Sequence, residues 1–390
     1  MSIFVDASYS SLNRSKEELC GDKVEIIRNN DSVIIVLADG LGSGVKANIL
    51  ATLTSKIIGT MLSMGANIDE AVETIVNTLP VNKERGLAYS TFTILQIFEN
   101  GESYLVEFDN PSLIRLVKGK YTSVKKQQRI INDKIINECR FKVNMDDMLI
   151  LISDGAVHAG VGHSLKLGWQ WDNIKNYTER IYWKNMTSNA VSKLILAVCS
   201  NLYDNEPGDD TTVVTIKIRK KENVNVLIGP PVDRNMDNYV VDKFLEADGK
   251  KVVCGGTTAQ IISRETGRKI NINLNYIDQD MPPTATIEGI DLATEGILTM
   301  SKALEYAKRY SDAQNNIGDF IDIYKQDGAS RLAKILLEES TSVHFFVGRA
   351  INPAHQNPDF PLNFGMKLNL VSEMIKCLES MGKSVAVEYF

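Results

Sequence analysis

The chain has 390 residues, 44% of them hydrophobic and 24% charged, with a formal net charge of −6. That length holds two domains with well-buried cores, and that composition excludes a disordered chain. An acidic balance without a strongly basic stretch also argues against nucleic acid or an anionic membrane as a partner.

The first residues, MSIFVDASYSSLNR, have neither a basic start nor a continuous apolar run, so no signal peptide is expected. Nothing further along approaches the ~20 apolar residues of a membrane span. KVEIIR and SVIIVLAD flank NND and predict a hairpin, because Asn and Asp tolerate the left-handed conformations of a tight reversal. A helix is predicted over 43–64, with Ser43 as its cap, Val45, Ile49, Leu53 and Ile57 recurring along it, and Gly65 as its stop. A second helix, over 69–79, takes Asp69 as its cap and ends before Pro80. YSTFTILQIF and SYLVEF then read as a hairpin across ENGE, followed by the apolar runs SLIRLVKG and MLILIS. After Gly168 mostly helical patterns lead to DDTTVVTIKI, another strand.

The charge run RKKEN, 219–223, marks the linker. Beyond it strands and helices alternate in βα fashion: NVLIG, a helix near Asn238, KKVVCGG, a helix through AQIISRET, and SVHFFVG. Within PPTATIEGIDLATEGILTMSKALEYA a loop leads into a helix, with Asp291 as its cap. The five cysteines, Cys20, Cys139, Cys199, Cys254 and Cys377, are odd in number and scattered. They fit neither a disulfide framework nor a CxxC metal site, and a reducing cytoplasm is the natural compartment.

Three strand ends carry acid. Asp39 closes one apolar strand, Asp154 follows another, and Asp209 and Asp210 stand before a third. Each alone reads equally as a turn former or a cap. If the strands are neighbours, the acids converge at one sheet edge, where they repel one another unless a cation lies between them. Hard oxygen donors select Mg²⁺ or Mn²⁺ over zinc. Gly42-x-Gly44-x-x-Ala47 also fits the looser dinucleotide fingerprint. Asp39, however, would face the pyrophosphate with like charge, and a second helix follows where the next strand should be. The glycines better suit a tight bend around a metal.

ADGLGSG, SDG and GDDTTVV, in this order and at these separations, resemble the metal-dependent type 2C serine/threonine phosphatases, and more closely their bacterial branch typified by the stage II sporulation protein E phosphatase domain. The resemblance covers about residues 1–220. It implies an α+β fold, an antiparallel β-sandwich flanked by helices with a two-metal centre at one end; the βα alternation over 224–390 separately predicts a smaller α/β domain behind it. By the match, Asp39 bridges two Mn²⁺ or Mg²⁺ ions, the Gly40 carbonyl binds one of them, and Asp154 and Asp209 are further ligands. CGDKVEII resembles the family's early acidic motif, which makes Asp22 a weaker ligand candidate. The chain departs from the pattern in three places: Asp210 stands where many relatives have Asn, Glu18 stands where eukaryotic members place a phosphate-binding arginine, and Arg14 is out of register with it. FDNPS, 108–112, takes only a turn role, and His158 and His163 read as loop histidines.

The implied activity is hydrolysis of phosphoserine or phosphothreonine on a bacterial regulatory protein, by water activated between two metals. Two alternatives stay open: a phosphatase-fold binding module with little or no catalysis, and a phosphatase of a small phosphorylated metabolite. In the sporulation-type branch, helices in the place of 43–64 and 69–79 act as a switch on the metal loop; a plain packing pair reads equally well. The whole two-part chain also resembles sporulation-type phosphatases that accompany iron-only hydrogenases in anaerobic bacteria.

The second domain has no catalytic signature. Its strand ends LIGPPVDR, VVCGGTTAQ and FFVGRAINPAHQ bring Gly, Thr, Arg and His to the edge where open α/β sheets hold ligands. Gly255, Gly256, Thr257 and Thr258, with Arg349, form a candidate anion site there, against the plainer reading of a tight turn and a Thr cap. Arg234 reads as a second charge for such a ligand or as solvated surface, and Cys254 as a small buried residue. A regulatory, ligand-binding or partner-binding role is expected for this half, and a homodimer is a further expectation.

Overall fold

The structure, a computed structural model, describes residues 3–78, 90–131, 134–273, 282–311, 321–350 and 362–390. The chain divides into two compact units, Met1–Lys220 and Lys221–Phe390.

The first unit is built on two antiparallel sheets. One has five strands in the order β1 (Ile3–Leu12), β11 (Thr211–Lys220), β10 (Met148–Ile152), β6 (Ile114–Val117), β7 (Lys120–Tyr121). The other has six, in the order β2 (Asp22–Arg28), β3 (Ser32–Asp39), β4 (Thr91–Phe98), β5 (Glu102–Phe108), β9 (Lys134–Lys142), β8 (Gln127–Ile131). The period of two along a strand explains both layers of core. Ile35 and Leu37 of β3 meet Leu149, Leu151, Val214 and Ile216 of the opposite sheet. Ile34, Val36 and Ala38 face the other way, beneath helices α1 (Gly44–Ser63) and α2 (Ile68–Thr78). That is why β3 is an unbroken apolar run: both of its faces are buried. A further helix, α5 (Ser188–Leu202), packs on β1 and β11. Leu37→Ala, at a fully buried position between the sheets, is expected to cost about 2–5 kcal/mol, read as a lower midpoint in urea denaturation of the full chain.

Three local expectations are corrected. Of the stripe expected to pack, Val45, Ile49 and Leu53 are exposed at 61%, 52% and 42%, while Ile57 is half-buried against the core beneath the helix. The buried side of α1 instead carries Ala47, Ala51, Ser55 and Gly59 at intervals of four, with Leu50, Thr54 and Ile58 beside them. The helix lies so close to β2 that a Cβ on Gly59 would come within 2.6 Å of Ile27 Cδ1. A row of small residues, not large ones, is what that distance admits. Ser43 has the extended conformation of a cap, but its hydroxyl makes no cap bond and donates to Glu17 Oε1 at 3.2 Å. The cap of α2 is Asn67, not Asp69: Asn67 Oδ1 accepts from Glu70 N at 3.0 Å and Glu70 Oε2 from Asn67 N at 3.1 Å, a capping box. The expected end of that helix at Leu79, before Pro80, lies outside the described residues. The β8–β9 hairpin has no counterpart in the sequence reading. Its polar edge strand, QQRII, leaves Ile130 exposed and shows none of the buried alternation that marks the other strands.

The second unit is a seven-stranded sheet in the order β14 (Asn271–Ile272), β15 (Ala285–Ile287), β16 (Ile290–Thr294), β13 (Lys250–Cys254), β12 (Asn223–Ile228), β17 (Ser342–Val347), β18 (Ser384–Tyr389). From β16 to β18 all pairings are parallel. The chain winds outward from β12 to one side through β13 and β16, then to the other through β17 and β18, so the strand order reverses between β12 and β17. Helices α6 (Asp237–Glu246) and α7 (Gly256–Thr266) cover one face, while α8 (Ile297–Ser311) and the helices Gly328–Leu337 and Leu362–Ser380 cover the other. Asp291 caps no helix. It lies in β16 and its Oδ2 accepts from Lys251 N at 2.7 Å, while Glu295 Oε2 caps α8 by accepting from Leu298 N at 3.0 Å. Among the described residues no helix is long and apolar enough to cross a membrane.

Candidate metal centre and adjoining cleft

The acids come to one end of the sandwich by strand register. Asp22 opens β2 directly across from Asp39, the last residue of β3. In the other sheet, Ser153 joins the end of β10 to the start of β11: its N donates to Thr212 O at 3.0 Å and its Oγ accepts from Thr212 N at 2.8 Å. That pairing holds Asp154, just after β10, beside Asp209 and Asp210, just before β11. Arg14 N donates to Asp210 Oδ1 at 2.9 Å.

The five carboxylates act on one another. Burial, then Asp22 and Asp154, push Asp39 from its ordinary 3.8 up to about 10, and the Asp154 carboxyl is within hydrogen-bonding reach of it. Asp22 is pushed up to about 7, first by burial and then by Asp210 and Asp154. The hydroxyls of Ser153 and Thr212 temper that rise, yet neither Asp22 oxygen completes a hydrogen bond. Asp209 is raised by burial and Asp154, while the Arg14 guanidinium pulls it down. Arg14 therefore bears on the site, although no linear register places it there. Burial, Asp22 and Asp210 push the Cys20 thiol far up, which keeps it protonated and unreactive.

The donor chemistry fits a hard divalent cation. Every side-chain donor is a carboxylate oxygen, and both Asp22 oxygens and Asp210 Oδ2 are buried without a partner. Among the described residues, however, no three His, Cys, Asp or Glu side chains are gathered closely enough to enclose one ion as they stand. The loop after β3 is held in place by close backbone contact. Gly40 N donates to Gly21 O at 3.0 Å, and a Cβ on Gly40 would lie 2.0 Å from the Ala47 carbonyl oxygen at the start of α1. Gly155 is confined in the same way, 2.1 Å from the Asp210 carbonyl.

Beside Asp154 opens a cleft of about 860 Å³ whose walls include Asn110, Pro111, Ser112, Tyr121, His158 and Trp171. FDNPS is thus more than a turn: Ser112 O accepts from Trp171 Nε1 at 2.7 Å and Ser112 Oγ from Lys126 Nζ at 3.0 Å. His158 is exposed on this cleft; His163 lies elsewhere, with its ring edge-on to Tyr203 at 6.4 Å. The cleft is not legible in the sequence because its walls come from five separate stretches, around 109–113, 121–126, 137, 154–158 and 171. The one local sign is Trp171, two residues after Trp169, opening a polar helix.

In the second unit, Gly255 and Gly256 follow β13, and Gly255 takes φ +122° at the start of α7. Thr258 is spent on the fold: its Oγ1 accepts from Gly229 N at 3.0 Å and donates to Cys254 O at 3.4 Å. Arg349 is exposed beyond β17, with β12 between its strand and β13. His355 of FFVGRAINPAHQ lies outside the described residues. Cys254 is buried, its thiol pushed up to about 12 by burial.

Two packed antiparallel sheets, helices on their outer faces and acids at the strand ends define the first unit as a type 2C phosphatase fold. Residues 29–219 match the model of the stage II sporulation protein E (SpoIIE) family, and this stretch is a domain of that family. Among solved structures, the chain is similar to the PP2C phosphatase domain with a fragment of the regulatory domain of SpoIIE from Bacillus subtilis. The identity is 19% and the TM-score 0.48, over 56% of this chain and 64% of that one. It is similar also to the RsbU and RsbW domains of a Mycobacterium tuberculosis protein (15% identity, TM-score 0.46, 63% and 68% covered). A third is RsbX in complex with magnesium (16%, 0.40, 55% and 95%). No curated protein matches the chain.

Proposed function

We propose that the first unit is a Mn²⁺- or Mg²⁺-dependent phosphatase acting on phosphoserine or phosphothreonine in a regulatory protein. The observation that carries this is the crowding of Asp39, Asp22, Asp154 and Asp209, which holds protons on acids that a dication would displace. When bound, a pair of such ions supplies an activated water and a clamp on the phosphoryl oxygens. Asp39, Asp154 and Asp209 would hold them, with the Gly40 carbonyl and Asp22 as further oxygen donors. The Arg14 guanidinium, beside Asp209, offsets part of the negative charge that an incoming phosphate would meet.

The test is phosphate release by the full chain from p-nitrophenyl phosphate and a phosphothreonine peptide, with Mn²⁺ and Mg²⁺ titrated separately. Turnover that needs the metal supports the reading; none with either metal overturns it in favour of a phosphatase-fold binding module. The observation on that second reading's side is that the acids are not already gathered around one point. Arg14→Ala is expected to raise KM for p-nitrophenyl phosphate roughly fivefold, the size of an exposed charge contact of about 1 kcal/mol, with a smaller change in kcat. An unchanged KM would remove Arg14 from the site.

We read residues 224–390 as a regulatory or ligand-binding domain on the strength of their doubly wound sheet, whose strand order reverses between β12 and β17. Binding of a ligand there should alter the metal-dependent rate of the full chain.

A further inference from the structure

Asp154 is shared between the acid cluster and the cleft. Whatever occupies the cleft therefore extends from the reacting group. In the same lining Tyr121 and Trp171 meet edge to face, with ring centroids 5.5 Å apart and planes at 82°. The indole is fixed by its bond to Ser112 O, and Lys175 Nζ lies 5.5 and 5.6 Å from the two rings. The corner is thus built before any ligand arrives, and such preorganised aromatic surface gives contact at little cost in entropy.

The charges around it decide what it suits. Lys126 is paired with Glu107 and also bonds Ser112 Oγ, and Lys175 is paired with Asp172 at 2.9 Å. Both nearby lysines are therefore committed, and Asp109, which is not among the metal ligands, adds negative charge to the wall. A metabolite with a second anionic group would find that acid and neutralised lysines there. Pro111, Val124, Val157 and the two rings offer apolar surface, and Asn137 offers an amide. That lining suits uncharged polypeptide.

Resting on the phosphatase reading above, we propose that this cleft seats the polypeptide segment next to the phosphorylated residue, with an apolar flanking side chain against Tyr121 and Trp171. Selectivity for a phosphoprotein over a small phosphorylated metabolite would then lie in these two residues, apart from the metal ligands.

The experiment uses the full chain and phosphothreonine peptides in which the residues flanking phosphothreonine are Leu, Phe, Gly or Asp. For the wild type, kcat/KM for Leu- and Phe-flanked peptides should exceed that for Gly- and Asp-flanked ones about tenfold, as burial of one apolar side chain allows. Trp171→Ala should bring that ratio to within twofold of one. Trp171→Phe, which keeps a ring and loses the N–H, should retain most of it, and Tyr121→Ala provides a second route if Trp171→Ala does not fold. A ratio is read because a general loss of structure lowers all peptides alike and leaves the ratio standing. The proposal is overturned if the wild type shows no flank preference, or if Trp171→Ala and Tyr121→Ala both keep it. Fluorescence anisotropy of the same peptides, labelled with fluorescein, on the Asp39→Asn protein separates the two claims. Preferential binding of Leu- and Phe-flanked peptides without turnover by any form would keep the cleft and remove the phosphatase reading. Metal-dependent turnover without flank preference would do the reverse.

Discussion

Asp39→Asn is expected to lower metal-dependent hydrolysis of p-nitrophenyl phosphate by ~10³-fold or more and, in the same protein, to make the metal-free fold more stable at neutral and alkaline pH. The first effect follows from removing the carboxylate at the centre of the acid cluster, because several kcal/mol of charge stabilisation by bound metal amounts to about three powers of ten in rate. The second follows from the proton. In the folded chain Asp39 keeps its proton up to about 10, against an ordinary value of 3.8. Such a group adds stability that is complete below pH 3.8 and drains away as pH climbs towards 10. The metal-free wild type should therefore weaken across that window in urea titrations, and the amide, which carries no charge to repel Asp22, Asp154 and Asp209, should flatten the slope. Because a cation must displace that proton, Mn²⁺ affinity of the wild type should rise with pH, as calorimetry would register. Full metal-dependent activity in Asp39→Asn, or an unaltered pH slope, would sink the assignment of Asp39.

Gly40→Ala should disable the site without touching an acid. The added methyl would be placed 2.0 Å from the carbonyl oxygen of Ala47. The obstacle is backbone, not the end of a flexible side chain, so the loop between β3 and α1 has to move. Overpacking of this kind costs about 1–3 kcal/mol in stability, and the displaced loop should lose Mn²⁺ affinity at least tenfold. Gly42→Ala makes the informative contrast. No atom lies within 4 Å of its Cβ position, but φ is +106°, so it carries backbone strain alone. It should lose about 1–2 kcal/mol of stability with metal affinity less affected. Equal metal affinity in Gly40→Ala and wild type would mean that the loop is not fixed where the contact with Ala47 holds it.

The sequence disclosed the sandwich and its acids because those features are written locally. An apolar run ending in Asp marks a buried strand with its terminus at the sheet edge, and the order of ADGLGSG, SDG and GDDTTVV adds a family likeness to that pattern. What it hid depends on distance in space. Hydrophobic size does not mark the packing side of α1, because a helix pressed close against a sheet selects Ala, Ser and Gly. The Asn67 cap is legible only through its reciprocal bond with Glu70 at a spacing of three, since Asp69 is by residue type an equally good cap. Arg14 entered the site through the strand pairing that brings Asp210 to it, which no linear register shows. The cleft draws its walls from the turn at 109–113, from 121–126, Asn137, the stretch 154–158 and Trp171, and only folding joins them.

Ala47, Ala51, Ser55 and Gly59 work as a shim between α1 and the sheet. Their combined thickness sets the height of the helix, and through the carbonyl of Ala47 it sets where Gly40 and the end of β3 come to rest. The tolerance of the acid site is therefore specified partly by side-chain volume at positions that present no chemistry to it. Exchanges for bulkier residues along this row should be screened as if they were active-site changes.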